Sequence, residues 1–347
     1  MATLKDIATS LNLSVMAVSK ALRDAPDIGQ KTKERVRQEA RRLGYIPNHL
    51  ARSLRGGLSQ VLGVILPALN DPYAANILRG LEEEASARSY NLMVASSQNN
   101  AALELSTLFR MFERQVEAVF VYPLVRIQQR SVLLDAAAQH GVPLVFLHHY
   151  PVSTPQYPKA GWVTVDAQKG SELATQYLIE RGHRRILYLS GPPASSSAAE
   201  HMRGFRRALD HAGIPYEEER VFLAGMDIEQ GRQAMARALA EEVSFSAVVC
   251  ASDPVAIGAS DMLKKQGCRV PEDVSVVGFG DGLLAANYST PLTTVRHPQV
   301  DLGKAAFNLW FHWMETKGTL GGRVLPVELI ERASTKTLVA PEFAARV

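Results

Sequence analysis

From residue 61 onward, short apolar runs alternate with stretches of helical periodicity, and this alternation constrains the chain more than any other feature. The runs lie at 61–66, 91–95, 118–122, 143–147, 162–165, 186–190, 247–251 and 274–279. Each is too short for a buried helix, and each is followed by enough chain for a crossover helix. That is the pattern of parallel sheets covered on both faces. At 347 residues the chain exceeds what one compact core usually holds. The body is therefore expected to form two doubly wound, Rossmann-like α/β lobes. Ligands of such sheets sit in the crevice at the carboxyl ends of the strands.

Other classes are disfavoured by what the sequence lacks. No apolar stretch approaches the ~20 residues that span a bilayer. The opening Met1-Ala2-Thr3-Leu4-Lys5-Asp6 does not have the basic-then-apolar order of an export signal, so a cytoplasmic location is expected. Two cysteines, Cys250 and Cys268, in or beside apolar runs read as reduced, buried thiols. An enzyme finds little support. The run Gly278-Phe-Gly280-Asp-Gly282 has Leu283 where a dinucleotide fingerprint needs its third glycine, and neither a phosphate loop nor a nucleophile elbow occurs. His148 and His149 are adjacent rather than at helical ligand spacing. Neither a cofactor nor a metal is expected.

Charge is unevenly spread. Residues 1–59 hold eleven Lys and Arg against five Asp and Glu, a net +6, so with a chain total of +3 the remainder carries −3. A basic head on an acidic body suits a polyanion partner, although a solvated basic helix would show the same balance. The pattern of residues decides between the two. Thr3 can cap a helix in which Leu4, Ile7, Ala8 and Leu11 recur at helical spacing, and Asn12-Leu13 interrupts it. Ser14 can cap a second helix over 15–22 that turns Val18, Ala21 and Leu22 inward and presents Val15, Met16, Ala17, Ser19, Lys20 and Arg23. A third helix, 32–44, would close the core with Val36, Ala40 and Leu43. Two helices so closely joined cross sharply, as in a helix-turn-helix whose second helix enters the major groove.

Beyond Tyr45-Ile46-Pro47, Asn48 can cap a further short segment through Ala51, Arg52, Leu54 and Arg55 before Gly56-Gly57. The ordered string Thr3-Leu-Lys-Asp-Ile-Ala, Leu13-Ser-Val-Met-Ala-Val-Ser-Lys-Ala-Leu, Gly44-Tyr-Ile-Pro-Asn and Ala51-Arg-Ser-Leu closely resembles the headpiece and hinge of LacI/GalR-family repressors. The body resembles the sensing domain of that family, itself similar to periplasmic sugar-binding proteins. It does so through Val165-Asp-Ala-Gln-Lys-Gly, Leu178-Ile-Glu-Arg-Gly-His-Arg-Arg-Ile, Val270-Pro-Glu-Asp-Val-Ser-Val-Val-Gly-Phe and Pro291-Leu-Thr-Thr-Val.

The resemblance implies an all-α helix-turn-helix domain at 1–47, a hinge at 48–60 and an effector-binding and dimerisation domain at 61–347. The chain would pass between the lobes three times, with lobes at roughly 61–160 plus 292–322 and 161–291 plus 323–347. It implies a homodimeric transcription regulator, most simply a repressor, that binds a pseudopalindromic operator in double-stranded DNA under control of a small effector, a sugar or sugar derivative, held between the lobes. Val15, Met16 and Lys20 match operator-selecting positions, with Lys20 able to donate to guanine and the other two able to touch thymine methyls. Ala17 stands where the family usually has threonine. Leu54 matches a leucine that wedges into the minor groove.

In the cleft, the resemblance places Tyr73, Tyr122, Asp166, Ser195, Ser197, Asp227 and Asp253 as lining or bracing residues. Three of the family's charged anchors are replaced. His148 stands for an acid, His201 for an arginine, and Gly280 for an acid, with Asp281 one place later. Each histidine can be a neutral structural ring or a ligand contact. A transport binding protein, or a sugar or nucleotide enzyme on the same α/β body, is the alternative reading; the basic head argues against the former.

Overall fold

The computed structural model describes residues 2–45, 59–124, 131–151, 153–192 and 196–338. The chain divides into two units, Met1–Ser59 and Gln60–Val347. In the first, α1 (Leu4–Leu11), α2 (Val15–Leu22) and α3 (Gln30–Arg42) enclose Ile7, Ala8, Val18, Ala21, Val36 and Ala40, with Leu43 packed at the edge. The third helix begins two residues earlier than its apolar stripe suggested, because Gly29 is its N-cap. The segment holding Asn48, Ala51, Arg52, Leu54 and Arg55 lies outside the described residues, as does Ser195.

The second unit contains two six-stranded sheets. Sheet one is built from β1 (Val61–Leu66), β2 (Asn91–Ser96), β3 (Val119–Val121), β4 (Leu144–Leu147), β5 (Ala160–Val165) and β11 (Gly321–Leu325), in the order β11-β5-β4-β3-β1-β2 and parallel throughout. Its faces are covered by α4 (Pro72–Ala87) with α12 (Gln299–Thr316), and by α5 (Ala101–Glu113) with α6 (Val132–His140). Sheet two contains β6 (Ile186–Ser190), β7 (Val221–Leu223), β8 (Ala247–Cys250), β9 (Ser275–Gly280), β10 (Thr293–Arg296) and β12 (Glu328–Ile330), ordered β12-β10-β9-β8-β6-β7. Only β12 runs antiparallel to its neighbour. Helices α7 (Ala167–Glu180) and α8 (Ser196–His211) cover one face, and α9 (Ile228–Ala240) and α10 (Asp253–Lys265) the other, with the short α11 (Leu283–Asn287) at the rim. Among the described residues no helix is long and apolar enough to cross a membrane.

The chain passes between the lobes at Asp166, at His297-Pro298 and at Pro326-Val327. The lobe limits expected from sequence shift accordingly. β5 completes sheet one up to Val165, while 293–296 pairs with β9, so that segment belongs to sheet two. The threonines behind Pro291 form a buried ladder strand: Thr293 pairs with Val277 and Thr294 with Gly278.

Two of the helix pairs touch through reciprocal glycines. Gly80 and Gly303 let α4 and α12 meet, and Gly231 and Gly258 do the same for α9 and α10. A Cβ on Gly258 would lie 1.9 Å from the Ile228 carbonyl oxygen and 2.7 Å from the Arg232 nitrogen, both backbone atoms that cannot turn aside. Gly258→Ala gains helix propensity worth about 1 kcal/mol. Even so, the chain is expected to lose about 1–3 kcal/mol through overpacking, read as a lower urea midpoint. An unchanged or raised midpoint would contradict this close approach.

Candidate functional site

In the first unit, local chemistry fixes the ends of both leading helices. The Thr3 hydroxyl accepts from the Asp6 amide at 3.3 Å while the Asp6 carboxylate accepts from the Thr3 amide at 2.7 Å, a closed capping box. Asn12, at φ 53°, turns the chain out of α1, and the Ser14 hydroxyl accepts from the Ala17 amide at 3.1 Å to start α2. The turn buries Val18 and Ala21 and leaves Val15 43% and Met16 69% exposed at the beginning of α2. Ala17, Ser19 and Lys20 are half-buried, and Arg23 is exposed. Lys20 is ion-paired with Asp27 rather than free, and Arg23 Nε donates to the Ser19 carbonyl at 3.2 Å. Asp24 gathers Lys33 and Arg37, so part of the basic excess is neutralised within the unit.

In the second unit, the carboxyl edges of both sheets supply rings that meet between the lobes. Tyr73 sits in the first turn of α4, capped by Asp71. Tyr122 follows β3, and His148 and His149 follow β4. The other lobe contributes His201 from α8 and Phe279 from β9, and His297 stands at the second passage between lobes. The Tyr73 hydroxyl lies 3.1 Å from His148 Nδ1 and 2.7 Å from His297 Nδ1. Ring centroids are 4.0 Å apart for His148 and His149, 4.5 Å for Phe279 and His297, and 4.3 Å for His201 and Phe279.

His148 adopts φ 67° while the His149 amide bonds the Leu147 carbonyl at 2.7 Å, a γ-turn of the strained hand. The turn is held because the His148 amide donates to the Val163 carbonyl and its own carbonyl accepts from the Thr164 hydroxyl at 2.7 Å. Strain retained in this way marks a position fixed by its surroundings.

Burial keeps these groups uncharged. Desolvation holds His149 down to about 4 and His201 to about 3, and depresses His148 and His297 well below the usual imidazole range. Neighbouring imidazoles deepen the effect for His148, His201 and His297. The same burial raises the Tyr73 and Tyr122 hydroxyls. Among the described residues, His149 Nδ1 and His297 Nε2 are buried without a hydrogen-bond partner. None of the described His, Cys, Asp or Glu form a group of three or more placed to hold a metal ion.

Of the cleft residues expected from sequence, Tyr73, Tyr122, His148 and His201 come together. The acids do not join them. Asp166 and Asp227 are exposed helix caps, accepting from the Lys169 and Gln230 amides. Asp253 is buried, accepting from the Thr294 hydroxyl at 2.5 Å and the Gly282 amide at 2.9 Å. Desolvation pushes it up to about 6. Asp281 is clasped by Arg296 at 2.7 Å and Arg332 at 2.5 Å. The two acids thus brace the loop after β9. Ser197 is half-buried in the first turn of α8. Sequence reading did not single out His149, Phe279 or His297 as site residues. His297 carries only a faint signal, a lone histidine before Pro298, since nothing local shows that the chain changes lobes there.

Residues 3–48 match the family described as bacterial regulatory proteins, lacI family, and residues 175–335 match the periplasmic binding protein-like domain. The HTH-type transcriptional regulator RegA of Clostridium saccharobutylicum is 30% identical over 345 residues, covering 96% of this chain and 99% of that protein. The chain belongs to the LacI family. Another relative, the HTH-type transcriptional repressor CytR of Escherichia coli K12, is 29% identical over 97% of each chain. The lac repressor dimer bound to operator and the anti-inducer ONPF superposes with a TM-score of 0.82 at 26% identity, over 96% of this chain and 99% of that one.

Neutral buried imidazoles make stability depend on pH with a definite sign. Below about 6.5 the unfolded chain takes up protons that the folded chain refuses until the depressed values near 4 and 3 are reached. Stability present above 6.5 is therefore lost as pH falls through that window. Asp253 acts oppositely between 3.8 and about 6, and burial of the Glu200 carboxyl acts in the same sense as Asp253, against the four seam imidazoles and the likewise depressed His183. Between about pH 7 and pH 5, unfolding free energy is expected to drop by about 1 kcal/mol per pH unit for each imidazole below its unfolded pKa, and His201→Gln should flatten the slope. A profile that is level or rises toward acid would contradict neutral burial.

Proposed function

We propose that this LacI-family chain is a cytoplasmic, sequence-specific DNA-binding repressor, working as a homodimer whose operator affinity is set by a small metabolite held between the lobes. The observation that carries the reading is the exposed apolar pair Val15-Met16 at the start of a Ser14-capped helix whose opposite face is buried. Large apolar side chains fixed in solvent on so small a core mark a contact surface, and the N-terminal turn of such a helix is the part that reaches base edges.

Val15, Met16 and Ala17 would meet thymine methyls and other apolar base edges. Lys20 would exchange Asp27 for guanine, and Thr3, Ser14, Ser19 and Arg23 would contact the DNA backbone. Asn48, Ala51, Arg52, Leu54 and Arg55 would form the hinge, with Leu54 entering the minor groove. Two copies are required because each head reads one half-site, and the lac repressor in its operator complex is a dimer. Tyr73, Tyr122, His148 and His201 would contact the effector, which shifts the lobes and so biases the hinge.

In a gel-shift titration, affinity for the operator is expected to fall steeply with salt, by a slope near −0.9 per phosphate neutralised. Met16→Ser should cost about 1–3 kcal/mol on the operator and leave binding to unrelated duplex unchanged. Leu54→Ala should likewise weaken specific far more than non-specific binding. A flat salt response, or equal losses on both duplexes, would contradict the assignment.

A further inference from the structure

Among the described residues, none of the four imidazoles at the seam between the lobes forms an ion pair. His148, His149, His201 and His297 are each more than nine-tenths buried, and the electrostatic neighbours of His148, His201 and His297 are other histidines. The elements packed around them bring the Tyr73 and Tyr122 hydroxyls. Asp71 acts on those tyrosines, Glu200, next to His201 in α8, acts on Tyr150 and is itself acted on by Asp166, and Asp253 and Asp281 are held by Thr294, Gly282, Arg296 and Arg332. Nearby guanidinium groups are committed elsewhere: Arg203 to Glu200, Arg296 to Asp281 and Glu328, and Arg332 to Asp281.

We propose that the metabolite taken up at this seam carries an oxyanion, whose negative charge is met by the imidazoles of His148, His149, His201 and His297. The inference rests on the reading of the seam as the effector site. Two observations support it independently of ring burial. His149 Nδ1 and His297 Nε2 lack partners, and each buried polar atom left so costs about 1–3 kcal/mol, which a ligand oxygen removes. The Tyr73 hydroxyl, moreover, lies between two Nδ1 atoms. It can donate to only one of them, so the other ring must donate to it. When an anion enters, the ring that accepted can take a proton, both Nδ1–H groups then donate to the tyrosine oxygen, and the hydroxyl proton turns toward the ligand. Anion binding is thereby coupled to uptake of a proton from solvent, at rings that no described carboxylate ion-pairs. A neutral polyol would supply no such charge and would bind with little pH dependence.

The test is calorimetric titration of sulfate, dianionic across the range, into the full chain at about pH 6 and pH 8. Sulfate is expected to bind at the lower pH with proton uptake, seen as heats that differ between buffers of different ionisation enthalpy. It should weaken by up to about tenfold per pH unit. His148→Gln and His201→Gln should each weaken it at least tenfold, with thermal unfolding and DNA binding confirming that the variants fold. Tyr73→Phe, which keeps the ring, should reduce the proton uptake. No binding at either pH, equal binding at both, or binding that survives in both histidine variants would overturn the inference. If salt-dependent DNA binding persists in that case, the regulator assignment stands and only the anion assignment falls; loss of DNA binding by the wild-type chain would count against the regulator itself.

Discussion

Three passages of the chain between the lobes force both sheets to present their carboxyl edges to one seam. The first and third passages are tied together, since the Asp166 amide donates to the Leu325 carbonyl at 3.1 Å. The second carries His297, whose amide reaches the Gly280 carbonyl and whose ring meets Tyr73 and Phe279. A ligand that changes the spacing of these rings therefore acts on the strands of both lobes at once. The close helix pairs stiffen each lobe, because backbone meets backbone at Gly80, Gly258 and their partners. Relative motion is then more readily absorbed at the passages than within a lobe.

The seam is polar in its atoms and neutral in its charge. Four rings that could each carry a proton are kept from doing so by burial and by one another. Asp253 and Asp281, next to them in the fold, are satisfied by Thr294, Gly282, Arg296 and Arg332 and brace the loop that leads to α11. The acids thus lie in the support of the loop and not among the rings. This is a different solution from the paired acid and arginine that the family resemblance implies for sugar hydroxyls.

Most of the architecture is written locally and so could be read. Thr3 and Ser14 announce their helices through side-chain oxygens that cap the first turn, and the strands at 61–66 and 186–190 coincide with their apolar runs. β7, β10, β11 and β12 were not legible, being three to five residues long with exposed or glycine positions. The lobe limits failed for a related reason: which sheet a strand joins depends on pairing across more than a hundred residues, as between β5 and β11. Tyr73, Tyr122, His148 and His201, expected by resemblance, come together at the seam. His149, Phe279 and His297 were not expected, because their meeting is a product of the passages and not of any local pattern. Asp253 and Asp281 carry the right chemistry for a ligand, yet their hydrogen bonds, invisible in sequence, turn them to structural use.

In the proposed function, a head reads DNA in two copies and the body governs it. Selection of the full chain against a pool of random duplexes tests this most directly. It predicts enrichment of an inverted repeat whose half-sites lie about one helical turn apart, with Met16→Ser changing the preferred bases. A pool that shows no enrichment, or only a single unpaired half-site, would contradict it.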